Sequence, residues 1–186
     1  VIEQGKQVWR SNVIVGRQMT QTASFYDEVE TVVFNPTWGL PQSIIVNEYL
    51  GKLRRDPGYF DRIGYKVINQ KGKVVSSRSI NWYSYSQNNP VGVQQPAGDD
   101  NALGELKFLF PNKFSVYLHD TPNKSLFEAA DRTFSHGCIR LRNPIKVAQF
   151  VLDWDKGEGE LDAKWLASKG PANNEIMLDR PLPVHV

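Results

Sequence analysis

Apolar residues recur at every second position in several short stretches of the chain, a pattern typical of strands with one buried face. Between residues 113 and 119 this period places Phe114, Val116 and Leu118 on one face. Tyr117 and His119 then share the other face. The predicted strands are residues 7–15, 29–34, 65–69, 74–79, 105–110, 113–119, 175–178 and 183–186.

Helical spacing appears over residues 43–55, 144–156 and 160–168. Asn143 and Pro144 form a preferred helix start, a cap residue followed by proline in the first turn. Gly157 is expected to end that helix. Because the predicted strands outnumber these helices, we expect an α+β fold that is mainly β.

Residues 81–101 are rich in Ser, Asn, Gln, Gly and Pro, which predicts a long loop. Residues 47–95 carry eight Lys or Arg against three acidic residues. Such an excess is usual for a solvated face, although it would also attract an anionic substrate. Aromatic residues in the same stretch are expected to form a small core of their own. They are Tyr59, Phe60, Tyr65, Trp82, Tyr83 and Tyr85.

The composition fits one domain, or one domain with an insertion. The chain has 186 residues, is 40% hydrophobic and carries a formal net charge of +2, which gives no reason to expect nucleic acid as a partner. No apolar run approaches the ~20 residues of a membrane span. The chain opens at Val1 without methionine or a signal peptide, so we expect an excised segment whose targeting elements lie outside it.

The candidate chemistry centres on Cys138, the only cysteine, within Ser-His-Gly-Cys-Ile-Arg-Leu at residues 135–141. A nucleophilic thiol needs a base within hydrogen-bond reach and donors for the developing oxyanion. His119, 19 positions earlier, is the candidate base and is expected to lower the thiol pKa. The backbone amides of Gly137 and Cys138 are the expected oxyanion donors, and His136 is expected to stiffen the loop or add a donor.

Three other interpretations of these residues stay open. Cys138 could be a buried structural residue beside two satisfied histidines. A zinc site is the second interpretation, although one cysteine and three scattered histidines lack the paired ligand spacing of such sites. A papain-like protease is the third interpretation, although such an enzyme would place its cysteine before its histidine, whereas His119 comes first here.

The spacing from His119 through fifteen residues to Ser-His-Gly-Cys-Ile-Arg-Leu resembles the signature of the L,D-transpeptidase (YkuD-type) family. A second block, Gly98 to Gly104, is similar to that family's Gly-x-x-Asn-Ala-Leu-Gly segment, with Asn101 at the asparagine position. The Phe-Asn-Pro-Thr-Trp run at residues 34–38 and the long insertion resemble the YcbB branch of the family.

This resemblance implies a YkuD-type mixed β-sandwich with short helices and an inserted capping subdomain. We expect the catalytic domain at residues 1–46 and 96–186, and the capping subdomain, or lid, at 47–95. It further implies that Cys138 attacks the tetrapeptide stem of a peptidoglycan donor, releases D-alanine and forms a thioester. The acyl group then passes to a diaminopimelate amine on an acceptor stem, making a 3-3 cross-link.

Cys138, His119, Gly137 and His136 are the expected catalytic residues. The expected substrate-binding residues are Tyr117, Arg140, Asn101 and Ser135. Tyr117 faces the site by strand parity, and Arg140 is expected either to contact a substrate carboxylate or to brace the loop. The hydroxyl of Ser135 is also expected to hold the loop. In the family a backbone carbonyl orients the histidine, so the Asp120 side chain is not assumed to complete a triad.

Neither a metal nor an organic cofactor is expected, and carbapenems are expected to acylate Cys138. Alternatives are an enzyme that attaches or detaches a lipoprotein at peptidoglycan, an L,D-carboxypeptidase, or a non-catalytic peptidoglycan-binding module. The resemblance places the protein in the periplasm of a Gram-negative bacterium, reaching the membrane only through an anchor outside this sequence.

Overall fold

The structure, a computed structural model, describes residues 1–3, 5–86 and 90–186. The chain forms two compact units, one of Val1–Pro36 with Gly98–Val186 and the other of Thr37–Ala97. The second unit therefore begins ten residues before the expected insertion at 47–95. Its role as a lid stays a prediction.

Strands make up much of the described chain. They are β1 (Ile2–Glu3), β2 (Lys6–Gln7), β3 (Val13–Gly16), β4 (Tyr26–Phe34), β5 (Trp38–Gly39), β6 (Lys66–Ile68), β7 (Val74–Val75), β8 (Gly92–Gln95), β9 (Leu106–Leu109), β10 (Leu118–His119), β11 (Thr133–Ser135), β12 (Ile139–Leu141) and β13 (Asn174–His185).

The helices are short. They are α1 (Gln42–Ile44), α2 (Leu50–Arg55), α3 (Tyr59–Arg62), α4 (Pro144–Lys156) and α5 (Ala163–Lys169), with a π-helical turn at Ile45–Tyr49 and 3₁₀ turns at Gln18–Thr20, Ser77–Ser79 and Lys124–Glu128. Together with the strands they confirm the expected α+β class. No helix within the described residues is long and apolar enough to cross a membrane.

The first unit is built on a seven-stranded mixed sheet with the order β11-β3-β12-β10-β9-β4-β13. Strands β10 and β12 are parallel, whereas β9 pairs antiparallel with both β10 and β4. Alternate residues on one face, including Leu118, Ile139 and Phe108, join α4 and α5 in a shared apolar core. The opposite face of β10 and β12 carries His119 and Arg140.

The second unit has a four-stranded sheet with the order β5-β8-β6-β7 and a separate apolar core. The rings of Phe60 and Tyr65 stack with centroids 5.6 Å apart, and Trp82 is buried with its indole N–H donated to the Ser77 carbonyl. Tyr83 is an exception to the expected aromatic core, because its side chain is 74% exposed.

One predicted strand is largely wrong. Only Leu118 and His119 of residues 113–119 are extended and paired, and Ser115 has a positive φ of 55°. The Asn112 side chain accepts the N–H groups of Phe114 and Val116 and donates to the Val116 carbonyl. These bonds satisfy the backbone locally, so a turn replaces the strand ladder.

Other element boundaries also differ. The predicted loop at 81–101 contains β8, which lies between β5 and β6 and buries Val93. The predicted strand at 7–15 is interrupted between β2 and β3. The helix predicted at 160–168 begins later, at Ala163, where the Asp162 side chain caps it by accepting the Trp165 N–H. The two predicted C-terminal strands form the continuous β13, which has an irregular register between Met177 and Leu182.

Candidate active site

The loop between β11 and β12 presents Cys138, and Ser135 closes this loop on itself. The Ser135 hydroxyl accepts the Gly137 N–H at 3.1 Å and donates to the Cys138 carbonyl at 2.5 Å. Gly137 has φ +122°, a conformation that favours glycine. The loop therefore has a defined shape before any substrate binds.

Strand pairing brings Cys138 and His119 to the same face of the sheet. In the parallel ladder His119 lies opposite Arg140, and the Ile139 N–H bonds the Tyr117 carbonyl at 3.1 Å. Side chains two residues apart on a strand point the same way, so Cys138 shares the face of Arg140. Cys138 and His119 thus belong to neighbouring chain segments of the same sheet face.

The imidazole of His119 is buried and held by the main chain. Its Nδ1 lies 2.5 Å from the carbonyl oxygen of Asp120. A carbonyl only accepts hydrogen bonds, so this contact requires a proton on Nδ1 and leaves Nε2 as an acceptor in the neutral ring. Burial lowers the pKa of His119 to about 3, and the positive charges of Arg140 and Lys107 act in the same direction.

The thiol of Cys138 is half-buried and donates to the Ser115 carbonyl, with sulfur and oxygen 3.7 Å apart. Burial raises its pKa above the ordinary value, and hydrogen bonds from Tyr117 and the charge of Arg140 oppose that rise. The expectation that His119 lowers the pKa of the Cys138 thiol is therefore wrong. The thiol and the imidazole are therefore each uncharged near pH 7, because ions are costly to bury.

The positive charge of Arg140 acts on both His119 and Cys138. Burial lowers the pKa of Arg140, as does the charge of Arg17. Within the described part of the chain, the Arg140 Nε is buried without a hydrogen-bond partner. An unsatisfied guanidinium donor of this kind is costly unless an anion completes it. Arg140 therefore keeps an unsatisfied donor on the strand that follows Cys138.

Lys107 is a site residue that the sequence analysis missed. It lies opposite His119 in the antiparallel ladder between β9 and β10, with its ammonium nitrogen 5.8 Å from the centre of the Tyr117 ring. The Tyr117 and His119 rings have centroids 5.6 Å apart, so Tyr117 flanks the base as expected. One lysine within the apolar run Leu-Lys-Phe-Leu was the signal available in the sequence.

Asp120 supports the site through its backbone carbonyl and its side chain separately. The carboxylate is buried, accepts the Glu105 N–H at 3.0 Å and pairs with Lys124. The carbonyl is the group that contacts His119. The base is therefore oriented by a main-chain oxygen.

The structure shows how several of the expected site residues are bonded. Asn101 is 1% exposed, with its amide donated to the Pro36 carbonyl and its oxygen accepting the Leu103 N–H, so it stabilises a turn, and its role in substrate binding stays a prediction. Ser135 is also buried, and its hydroxyl is used within the loop. The Gly137 N–H is bonded to Ser135 and is not a free oxyanion donor. His136 lies exposed in the loop.

A cleft of about 420 Å³ adjoins the thiol through Ser115 and Tyr117, and Glu30, Leu109 and Asn112 also line it. Among the residues that the structure describes, no group of three or more His, Cys, Asp or Glu side chains could hold a metal ion.

Comparison with known proteins gives one family match and two similar proteins. The model of the YkuD family, described as the L,D-transpeptidase catalytic domain, matches residues 1–174. A Haemophilus influenzae protein named "Putative L,D-transpeptidase" is 36% identical over 181 residues, which are 96% of this chain and 36% of that protein. An L,D-transpeptidase from Mycobacterium smegmatis is 12% identical with a TM-score of 0.35, covering 95% of this chain and 51% of the other.

The chain thus spans about a third of the length of the Haemophilus influenzae relative and half of the mycobacterial one. The family match covers both Cys138 and His119. On this match, the chain belongs to the YkuD family of L,D-transpeptidase catalytic domains.

Proposed function

We propose that this domain is a cysteine acyltransferase that makes 3-3 cross-links in peptidoglycan. Cys138 attacks the carbonyl between the third and fourth residues of a donor tetrapeptide stem. The observation that carries the proposal is that Cys138 immediately precedes β12, which pairs with the strand of His119, and that the His119 imidazole is neutral. Nδ1 of that imidazole is fixed, which leaves Nε2 to take a proton.

The proposed chemistry has two stages. Nε2 of His119 takes the thiol proton as sulfur bonds to the carbonyl carbon, and the carbonyl electron pair moves to oxygen. Collapse of this tetrahedral intermediate breaks the C–N bond, and D-alanine leaves with the proton from the imidazolium. A diaminopimelate amine then attacks the thioester, His119 takes the amine proton, and the thiol is released with that proton.

The charges near the thiol support an anionic substrate. Arg140 has a buried Nε without a partner among the described residues, and Lys107 adds a second cation beside His119. Stem peptides carry several carboxylates, which would complete these donors. The cleft beside Ser115 and Tyr117 offers room for the peptide chain. We further propose that carbapenems acylate the same thiol. We also propose that the protein is periplasmic.

Intact mass spectrometry of the domain with a purified disaccharide-tetrapeptide tests this proposal. We expect a Cys138 adduct equal to the donor minus D-alanine, together with dimeric product. Cys138→Ser is the matched control and should give neither. An adduct without dimers would favour hydrolysis or lipoprotein transfer. No adduct and no released D-alanine from folded protein would contradict the proposal and favour a binding module.

A further inference from the structure

A threonine outside the signature motif holds the nucleophile loop. The hydroxyl of Thr22 donates to the Gly137 carbonyl at 2.7 Å and accepts the Gly16 N–H at 2.9 Å. Its donor and acceptor functions are both engaged, so the hydroxyl has a fixed direction. Thr22 is therefore connected to the residue that precedes Cys138, although 115 positions separate the two bonded residues.

Gly16 allows this contact. A Cβ at Gly16 would lie 2.0 Å from the Thr20 carbonyl oxygen and 2.8 Å from the Thr22 nitrogen. Only glycine permits the segment after β3 to pack this closely. Because Gly16 also pairs with Ser135 in the β3–β11 ladder, the segment is fixed beside the nucleophile loop.

The direction of the Gly137 carbonyl determines that of the next amide. In a planar trans peptide the C=O and N–H groups point in opposite directions. With the Gly137 carbonyl held by Thr22, the N–H of Cys138 points away from Thr22. The other candidate donor, the Gly137 N–H, is occupied by the Ser135 hydroxyl.

We propose that Thr22 is a positioning residue that orients the Cys138 N–H as the oxyanion donor. This inference rests on the proposed acyl-transfer function. When sulfur bonds to the carbonyl carbon, the oxygen gains a negative charge that this N–H stabilises. Such a donor acts on the transition state, so its misplacement lowers the acylation rate more than substrate affinity.

Thr20 provides a matched control in the same segment. Its hydroxyl donates to the Ser135 carbonyl at 3.1 Å, but that oxygen also accepts the Arg17 N–H at 3.0 Å. Removal of the Thr20 hydroxyl leaves the second bond in place. Loss of the Thr22 hydroxyl removes the side-chain donor that holds the Gly137 carbonyl.

The test compares two reactions of Cys138. Acylation by p-nitrophenyl acetate forms a C–S bond, expels p-nitrophenolate and passes through an oxyanion. Alkylation by iodoacetamide displaces iodide without forming an oxyanion. For Thr22→Val we expect acylation to fall by about 100-fold, with alkylation within twofold of the unsubstituted protein. Thr22→Ser should restore acylation to within about fivefold, and Thr20→Val should remain within about threefold.

Each alternative outcome is decisive. Equal losses of acylation and alkylation in Thr22→Val would mean that Thr22 places the thiol, which overturns the inference. Unchanged acylation would overturn it as well. Thr22→Ala, which also lacks the hydroxyl, gives the same comparison if Thr22→Val does not fold. Acylation by the ester but not by the tetrapeptide would reject the proposed function while leaving the role of Thr22 intact.

Discussion

His119 and Arg140 lie directly opposite each other in the parallel ladder between β10 and β12, so the two residues are nearest neighbours across this pair of strands. Lys107 lies opposite His119 on the other side. Both charges disfavour an imidazolium at rest. A substrate carboxylate that neutralised them would make proton transfer from Cys138 easier. Substrate binding and activation of the thiol are thus expected to be coupled.

The buried neutral His119 predicts a loss of stability in acid. Its pKa is about 3 in the folded protein and 6.5 in the reference state, so the unfolded chain binds the extra proton between these values. This contribution is complete above pH 6.5 and is lost as pH falls toward 3. We expect the free energy of unfolding to be about 2 kcal/mol lower at pH 5 than at pH 7 on this account.

Urea denaturation at both pH values measures this difference. His119→Gln should reduce it, because glutamine does not titrate. A pH dependence unchanged in His119→Gln would show that another group is responsible.

The raised thiol pKa predicts a slow reaction of free Cys138 with alkylating agents near neutral pH. Since the thiolate is the reactive form, the iodoacetamide rate should rise with pH to a midpoint above the ordinary value of 9.0. The measurement is the second-order rate constant from pH 6 to 11. A midpoint below 8 would instead indicate a thiolate–imidazolium pair in the free protein.

The Asp120 side chain is predicted to matter little for the chemical step. In triads with a carboxylate that orients the histidine, Asp→Asn lowers kcat by about 10⁴. Here the main-chain carbonyl of Asp120 contacts His119, and that carbonyl survives the substitution. Asp120→Asn should therefore lower kcat by less than about tenfold, as measured by thioester formation. A loss of a thousandfold or more would assign the carboxylate a direct role.

Asp155 anchors the irregular segment of β13 to α4. Its buried carboxylate accepts the N–H groups of Asp179 and Arg180 at 3.0 and 2.8 Å and pairs with Lys156. Hydrogen bonds to a charged group contribute about 1.5–3 kcal/mol each, so Asp155→Ala should destabilise the domain by about 3 kcal/mol. Asp179→Ala, which removes an exposed partner of Lys156, should cost less than about 1 kcal/mol. Thermal or urea unfolding compares the two variants, and equal losses would contradict this view of Asp155.

The sequence was most informative where one residue type has a specific local effect. Asn143, Pro144 and Gly157 marked the start and end of α4 as observed. Cys138 and His119 could be identified from their spacing and do lie on one face. The turn made by the Asn112 side chain was not visible in the alternating pattern, because the competing hydrogen bonds depend on a geometry that hydrophobicity does not encode.

Contacts between distant segments were the least predictable part of the site. Nothing near Thr22 in the sequence indicates that its hydroxyl bonds Gly137. Asn101 is a second example. Its side chain satisfies backbone groups of a buried turn, a contact that its position in the Gly98 to Gly104 segment does not indicate. The pKa of Cys138 also depended on burial, which composition alone does not give.

The pairing of β4 with β9 indicates where the chain can tolerate changes in length. Phe34 lies opposite Leu106, so the whole second unit falls within the chain segment that connects the two antiparallel strands of this hairpin. The entropy of closing such a connection grows only with the logarithm of its length. A segment at this point can therefore be lengthened, shortened or exchanged at little thermodynamic penalty to the hairpin. We expect the connection between β4 and β9 to be the segment in which relatives of the chain differ most in length.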